Sequence, residues 1–334
     1  MAKKKSSPLI KLHKLPDVIF DEHAWVDFIE LMCLLSPDQE VNQTDILERF
    51  RRGKELGEAA VSDVGDEEDD EESVPESSDK EVQWMQDLFA HLRYREEAFA
   101  QSYPFRVSDD GTTLFVRKRV IGRQKSYISL LLSANTAYVS RGASKLTGSF
   151  EIISKSALKQ LLPTSAQVHV FGSNSAQRYS RYRGTVFQKI KRLAEDLHEI
   201  LLAEESGLPA TSTGDEGLDI VGWVPWEDDA PGSLLVFGQC ACSKDDWVAK
   251  QDSSSAQAWE NKIHFTSKPS NIAFIPICLR KADGNWHRPT DIHQSVVVDR
   301  LRLLQLLTDK IDLFRKQPSY GVVQETLKQR EPVF

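Results

Sequence analysis

One segment strongly limits what this chain can fold into: residues 63–81 carry eleven acidic side chains and a single basic one, Lys80. Carboxylates at this density repel one another, and the segment has little apolar surface to bury, so we expect a solvated, disordered linker. A second interpretation is an acidic tether that competes with nucleic acid for a basic groove. In both interpretations the segment separates an N-terminal part of the chain from the rest.

Outside this segment the chain is close to neutral. The formal charge of −8 becomes slightly positive once residues 63–81 are set aside, because 41 basic and 39 acidic side chains remain. Hydrophobic residues make up 40% of the 334 residues and charged residues 28%, as in ordinary globular proteins. This composition excludes a collagen, a coiled coil and a wholly disordered chain.

The sequence also indicates where such a protein works. No stretch approaches the ~18 apolar residues that a membrane helix needs, and the basic N-terminus is not followed by the apolar segment of a secretory signal. Four cysteines in 334 residues do not make a disulfide framework. We therefore expect a cytoplasmic protein that makes no contact with a membrane.

Periodicity and turn signals predict four regions. They are a helical N-terminal region (residues 1–60), the acidic linker (61–82), an α+β middle region (83–164) and an α/β domain (165–334). Within the last region we expect an amphipathic helix at 187–202, strands at 218–223 and 233–239, a helix at 245–262, a strand at 271–278 and a closing helix at 296–307. This order of elements is typical of a mixed sheet flanked by helices.

The chemistry-bearing feature lies at the ends of two of these predicted strands. Asp219 follows Gly217-Leu218 at the start of one strand, and Gln239 stands at the end of the next. In a hairpin of this size the two side chains can converge at one edge of the sheet. Two such oxygens can hold a hard cation such as Mg²⁺, which prefers oxygen ligands and keeps several waters.

This arrangement resembles the PD-(D/E)XK nucleases of the restriction-endonuclease-like superfamily, in the type associated with prokaryotic antiviral defence. The resemblance covers residues 165–310 and includes a preceding helix, the G-x-D strand, the strand that ends at Gln239, a helix containing Trp247, and a later strand and helix. Asp219 and Gln239 match the metal-binding positions of the family. Ala241 occupies the position of the family's lysine, which is a departure from the pattern.

The resemblance implies a restriction-endonuclease-like fold, Mg²⁺ or Mn²⁺ as the cofactor, and hydrolysis of phosphodiesters in DNA. Lys244 and Lys250 are the alternatives for a migrated lysine that assists the attacking water. The family often adds a glutamate from the first helix, for which Glu195 is the candidate, with Glu199 and Glu204 as alternatives. One carboxylate and one amide make a poor metal site, so we expect Glu195→Ala to abolish cleavage.

Two runs of basic residues contain no acid and are candidates for contact with nucleic acid. Arginine binds phosphate through two parallel hydrogen bonds, and interleaved aromatic rings can stack on bases. The first run lies just before and within the predicted helix at 187–202, and the second lies in the middle region. The proposed DNA-binding residues are Arg178, Arg181, Arg183, Lys189 and Arg192 in the first run, and Arg117 and Arg119 in the second.

The sequence therefore predicts a metal-dependent DNA endonuclease that serves as the effector of a prokaryotic antiviral defence system. The regions before residue 165 would bind a partner protein, recognise DNA or restrain the nuclease, and the chain could form a homo-oligomer. The alternative is a non-catalytic subunit in which the nuclease fold has lost its lysine and serves as a DNA- or protein-binding scaffold.

Overall fold

The structure is a computed structural model that describes residues 8–16, 22–61, 74–172, 180–208, 214–244 and 246–330. None of its described helices is long and apolar enough to cross a membrane. The helices are α1 (Glu22–Leu35), α2 (Gln43–Val61), α3 (Val74–Phe99), α4 (Gly122–Ala134), α5 (Ala143–Leu161), α6 (Val186–Leu197), α7 (Trp247–Lys250), α8 (Ala256–Trp259), α9 (Arg300–Leu306), α10 (Ile311–Arg315) and α11 (Ser319–Thr326). The strands are β1 (Glu40–Asn42), β2 (Phe105–Val107), β3 (Thr113–Val116), β4 (Gln167–Val170), β5 (Ile200–Leu201), β6 (Ile220–Val224), β7 (Leu234–Cys240), β8 (Ile263–His264), β9 (Ser270–Phe274) and β10 (Val296–Val298).

The centre of the C-terminal half is a mixed five-stranded sheet in the order β10-β9-β7-β6-β4. β6 pairs antiparallel with both β4 and β7, whereas β9 and β10 continue the sheet parallel to β7. Antiparallel neighbours need only short loops, but a parallel neighbour needs a crossover. The chain therefore makes that crossover between β7 and β9 through α7 and α8.

Helices cover both faces of this sheet. α5 packs on one face, where Leu158 meets Val168 and Ile220 in a large apolar core to which all five strands contribute. α6 packs on the other face, where its apolar side contacts alternate residues of β6 and β7, such as Val221 and Phe237. Because successive side chains in a strand point to opposite faces, residues two apart enter the same core.

The N-terminal half is built around α1, α3, α4 and a small antiparallel sheet in the order β1-β3-β2. The turn at Asp109-Asp110-Gly111 joins β2 to β3, and Gly111 has a φ of +74°, which a glycine adopts at little cost. Residues 127–132 are an apolar run too short for its periodicity to distinguish a strand from a helix, and they lie within α4. The apolar core of this half is continuous with the core under α5.

Several sequence predictions in the C-terminal half were wrong in extent, and the helix expected at 187–202 ends at Leu197. The helix expected at 245–262 is two short helices, and Ser255 begins the second by accepting a hydrogen bond from the amide of Ala258 at 3.2 Å. The closing helix expected from residue 296 begins at Arg300, since the valine run 296–298 forms β10. β-Branched side chains favour strands, and Asp299 caps the helix that follows.

The predicted boundaries between the regions also do not coincide with the helices and packed units of the structure. The linker was expected to reach residue 82, but α3 already begins at Val74, while residues 62–73 lie outside the described residues. α5 falls in the region expected to be separate from residues 165–334, yet its apolar face covers β4 and β6. The mixed α/β class and the mixed sheet flanked by helices are confirmed, although the sheet has five strands where the sequence predicted three.

Candidate functional site

Asp219 lies at the point where the chain enters the five-stranded sheet, one residue before β6. Its amide donates to the carbonyl of Gly238 at 3.0 Å, and its own carbonyl accepts from the amides of Phe171 and Gly172. Its carboxylate oxygen Oδ2 accepts from the amide of Cys240 at 2.8 Å. Backbone contacts from both neighbouring strands therefore fix the position of this acid.

The environment of Asp219 disfavours its charge. Burial raises the pKa of Asp219 to about 7, and the charge of Asp215 adds to this effect. The hydrogen bond from Cys240 and the positive charge of Lys250 act in the opposite direction and lower the pKa. A carboxyl group that titrates near neutrality in a buried position is typical of a site that binds a cation or moves a proton.

A second carboxylate, Glu151, approaches the same point from α5. Gly172 sits between the two acids: a Cβ placed on it would lie 2.7 Å from Asp219 Oδ1 and 3.5 Å from Glu151 Oε2. Glu151 is 9% exposed, so both acids are largely removed from solvent. The absence of a side chain at Gly172 leaves room in which the two carboxylates converge.

Gln239 supplies a third oxygen at this edge of the sheet. The antiparallel register pairs Ile220 with Gly238, so continuing it by one residue places Asp219 opposite Gln239. Residues directly opposite in an antiparallel pair share a face of the sheet. Gln239 is buried, and its Oε1 accepts no hydrogen bond within the part of the chain that the structure describes. A buried polar atom without a partner carries a free-energy penalty that a ligand can remove.

Two lysines border this group of oxygens. Lys250 at the end of α7 acts on the pKa of Asp219 through its charge. Lys189 of α6 donates from Nζ to the carbonyl of Gly214 at 3.0 Å, and burial lowers its pKa while the charges of Asp215 and Glu151 act to raise it. The ends of α6 and α7 therefore bring positive charge to the two carboxylates.

Of the two lysines predicted from sequence, Lys244 lies elsewhere. Its Nζ is 3.0 Å from Asn135 Oδ1 and 3.7 Å from Asp27 Oδ2, in a buried network near α1. Ala241 is 1% exposed and packs among apolar side chains with Trp247, so the family's lysine position is filled by the core. The structure thus brings Lys250 to Asp219 and does not bring Lys244 there.

The structure does not bring Glu195 to the site either. Its side chain lies on the solvent side of α6, about half exposed, 3.7 Å from Arg192. Glu199 accepts hydrogen bonds from the amides of Gly232 and Thr266, and Glu204 is exposed. The amphipathic pattern of α6 turns Glu195 outward, because its apolar residues occupy the opposite side of the helix.

Sequence reasoning missed Glu151 because it assigned no helix to residues 143–161. The signal was present in the apolar spacing of Leu146, Phe150, Ile153 and Ala157, which is helical and lies just before the first strand of the sheet. The resemblance includes a helix before the G-x-D strand, and both α5 and α6 precede that strand in the chain. Their packing distinguishes them, because α5 brings Glu151 toward Asp219 whereas Glu195 of α6 is exposed.

The predicted DNA-binding residues have varied surroundings. Arg181 and Arg192 both pair with Asp196, so a neighbouring carboxylate offsets their charges. Lys189 is buried beside the carboxylates and does not lie on the surface. Arg183 is exposed and donates to the carbonyl of Ser180 at 2.9 Å, and Arg178 lies outside the described residues.

The second basic run lies beyond β3 in the N-terminal half. Arg117 pairs with Glu96 at 2.9 Å and donates to the carbonyl of Tyr103, so it holds α3 against the sheet β1-β3-β2. Arg119 is exposed. Arg119 and Arg183 are therefore the two predicted DNA contacts that point to solvent without a carboxylate partner in the described part of the chain.

The donor set can be tested against the implied metal. Among the described residues there is no group of three or more His, Cys, Asp or Glu side chains with the geometry to hold a metal ion. Glu151, Asp219 and Gln239 offer two carboxylates and one amide oxygen, which suit a hard cation that keeps part of its water shell. The chemistry of this set fits Mg²⁺ or Mn²⁺ and does not fit a structural zinc ion, which takes nitrogen and sulfur ligands.

No protein-family model, no curated protein and no solved structure matches the chain. Its function is therefore argued from the site, because a fold alone does not define an activity.

Proposed function

We propose that this protein is a metal-dependent nuclease of restriction-endonuclease-like fold that hydrolyses phosphodiesters in DNA. The observation that carries the proposal is the convergence of Asp219 and Glu151 on Gly172. Gln239 adds a buried amide oxygen on the same face of the sheet as Asp219. Oxygen donors of this kind at one sheet edge are what a two-carboxylate magnesium site requires.

The topology supports the same proposal. The order of elements that the resemblance implies is a helix, the G-x-D strand, a second strand that ends at Gln239, a helix with Trp247, and a later strand and helix. The chain follows this order through α6, β6, β7, α7 and β9, and the helix α9 follows after β10. β6 and β7 are antiparallel neighbours, so the G-x-D start and the Gln239 end meet at the same edge.

Each residue would have a defined role. Asp219, Glu151 and Gln239 would hold the metal ion, which when bound polarises the phosphodiester and lowers the pKa of the attacking water. Lys250 brings a positive charge toward the position where negative charge develops in the transition state. Because the pKa of Asp219 is about 7, the carboxylate form needed to bind a cation becomes dominant only above neutrality.

DNA as the substrate is supported by the exposed arginines Arg119 and Arg183. Binding of phosphate by such residues positions the backbone and carries no sequence information. A partner protein, a homo-oligomer and a role in prokaryotic antiviral defence are proposed on the resemblance alone.

A cleavage assay tests the proposal. Supercoiled plasmid and linear DNA are incubated with the full chain in Mg²⁺ or Mn²⁺ at pH 8 and low salt, beside Asp219→Asn and beside EDTA. We expect metal-dependent cleavage by the wild type and none by Asp219→Asn. Asn keeps the shape of the side chain and an acceptor for the amide of Cys240, so loss of activity would not follow from unfolding. Cleavage by both proteins at the same rate would overturn the proposal.

A second candidate function is a non-catalytic scaffold that binds DNA or protein. One specific observation favours it: Ala241 is packed in the core at the position of the family's lysine, so the family's full set of catalytic side chains is not present. This candidate predicts DNA binding without cleavage, and binding that is the same in the wild type and in Asp219→Asn. A gel-shift experiment with the same two proteins distinguishes it from the nuclease.

A further inference from the structure

A fully buried glutamine, Gln251, follows α7 directly, and both polar atoms of its side chain are hydrogen bonded. Its Nε2 donates to the carbonyls of Val248 and Asp291, at 3.3 and 2.7 Å. Its Oε1 accepts from the amide of His293 at 3.3 Å and from the hydroxyl of Ser295 at 2.6 Å. Gln251 therefore joins the end of α7 to the loop that precedes β10.

Asn271 of β9 holds the same part of the chain against the sheet. Its Nδ2 donates to the carbonyl of Gln251 at 2.6 Å, and its Oδ1 accepts from the hydroxyl of Ser254 at 2.7 Å. All three residues are buried. A parallel strand that is covered on both faces favours apolar side chains, so the hydrogen bonds to the chain after α7 account for an asparagine in this position.

The segment that these contacts hold, residues 250–254, packs on the turn that leads to Asp219. A Cβ placed on Gly217 would lie 2.4 Å from the Cβ of Ser253 and 3.1 Å from its carbonyl oxygen, so the two backbones are in close contact. Lys250 begins the segment, and its charge lowers the pKa of Asp219. The position of Lys250 relative to Asp219 therefore depends on how the segment packs on this turn.

α7 is too short to fix the position of Lys250 by itself. The helix spans only Trp247–Lys250, and the first turn of a helix costs more conformational entropy than its hydrogen bond returns. Trp247 holds the start of the helix in an apolar cluster. Gln251, the residue after Lys250, holds its end.

We propose that Gln251 is a positioning residue of the nuclease site and that it acts through Lys250. It fixes the end of α7 between β9 and the loop that precedes β10, so that the ammonium group of Lys250 is held toward Asp219. This inference rests on the proposed function, because a fixed cation is useful where negative charge develops in a transition state. Such a group loses its effect when the residues that support it are removed.

A double-mutant cycle tests whether Gln251 acts through Lys250. Cleavage of plasmid DNA at saturating Mg²⁺ gives kcat and KM for the wild type, Gln251→Ala, Lys250→Ala and the double variant. Since a displacement of ~1 Å can cost about a hundredfold in rate, we expect Gln251→Ala to lower kcat at least tenfold and to leave KM for DNA within about twofold. In the Lys250→Ala background the same substitution should lower kcat by no more than about twofold, because the group it positions is already absent.

Gln257→Ala removes an exposed glutamine of α8 and is the matched control, which should cleave DNA as the wild type does. Gln251→Ala that lowers kcat by the same factor in both backgrounds would overturn the proposal, since a general loss of folded protein acts in this way. A kcat for Lys250→Ala equal to that of the wild type would also overturn it.

Amide hydrogen exchange tests the placement of the segment without relying on cleavage. Backbone hydrogen bonds protect amides in α7, in residues 250–254 and in the turn before Asp219. We expect Gln251→Ala to speed exchange at least tenfold in these parts of the chain and to leave α4 unchanged. Unchanged exchange near α7 would overturn the positioning role even in a protein that cleaves DNA. Faster exchange in a protein whose wild type does not cleave would instead overturn the proposed function, and the catalytic meaning of Gln251 with it.

Discussion

The guanidinium of Arg300 binds both carboxylate oxygens of Asp27, at 3.0 and 2.9 Å, although 273 residues separate them in the chain. Both side chains are fully buried, and Arg95 approaches the same carboxylate at 2.7 Å. Tyr127 and Tyr103 donate to the neighbouring Glu30, which extends the network. The pair of Asp27 and Arg300 joins α1 of the N-terminal half to α9, which follows the last strand of the five-stranded sheet.

Removal of Asp27 should therefore destabilise the whole chain. Asp27→Ala leaves Arg300 and Arg95 buried without their main carboxylate, and breaking a buried pair in this way costs about 3–5 kcal/mol. Urea unfolding followed by tryptophan fluorescence measures the change. Asp309→Asn, at an exposed position, is the matched control and should leave the midpoint unchanged. Equal midpoints for Asp27→Ala and wild type would show that the network does not hold the halves together.

The same network makes the free energy of unfolding depend on pH, in a direction set by the pKa of Asp27. Burial acts to raise the pKa of Asp27, but Arg300 and Arg95 outweigh it and hold the pKa well below the ordinary value. A lowered pKa means that this stability is present above the ordinary pKa of an aspartate and is lost as the pH falls through the lowered value. Stability curves at pH 7 and pH 3 should differ more for the wild type than for Asp27→Asn. A similar loss in both proteins would assign acid unfolding to other groups.

Contacts such as the pair of Asp27 and Arg300 mark the part of the fold that could not be predicted from the sequence. Hydrophobic spacing predicted β6, β7 and α6, since these elements follow from local patterns. Packing of α5 on the sheet and the pairing of Asp27 with Arg300 depend on contacts between distant segments, which one sequence does not reveal. Glu151 was missed because no helix was assigned to residues 143–161, although their apolar spacing is helical. Asp219 and Gln239 lie at the ends of consecutive strands, whose register could be anticipated.

Ionisation of Asp219 should lower the free energy of unfolding at high pH. Its pKa in the folded chain is about 7, against an ordinary value of 3.8, so the folded state favours the protonated form. The free energy of unfolding is therefore undiminished below the ordinary pKa. It falls by up to about 4 kcal/mol as the pH rises toward 7 and beyond. Asp219→Asn cannot ionise, so we expect it to melt at a higher temperature than the wild type at pH 8 and at a similar one at pH 4. A lower melting temperature at pH 8 would show that the ionised carboxylate stabilises the fold.

Substitution of Glu151 and substitution of Glu195 should have different effects on metal-dependent cleavage. Glu151 lies beside Gly172 with Asp219, whereas Glu195 is exposed and pairs with Arg192. We therefore expect Glu151→Gln to lower metal-dependent cleavage at least a hundredfold and Glu195→Gln to leave it within about twofold, contrary to the prediction from sequence. Cleavage rates at saturating Mg²⁺ decide between them, with melting temperatures to confirm that both variants fold. Loss of activity in Glu195→Gln alone would return the third carboxylate to α6.

Gly172 gives the most direct test of the shape of the site. A Cβ at this position would lie 2.7 Å from Asp219 Oδ1, closer than van der Waals contact allows, so Gly172→Ala must displace the carboxylate. We expect loss of metal-dependent cleavage and a modest loss of stability, about 1–3 kcal/mol, as for other overpacked positions. Gly207→Ala is the matched control, because a Cβ there meets no atom within 4 Å. If Gly172→Ala cleaves DNA as fast as Gly207→Ala, the space between Asp219 and Glu151 is not where the metal binds.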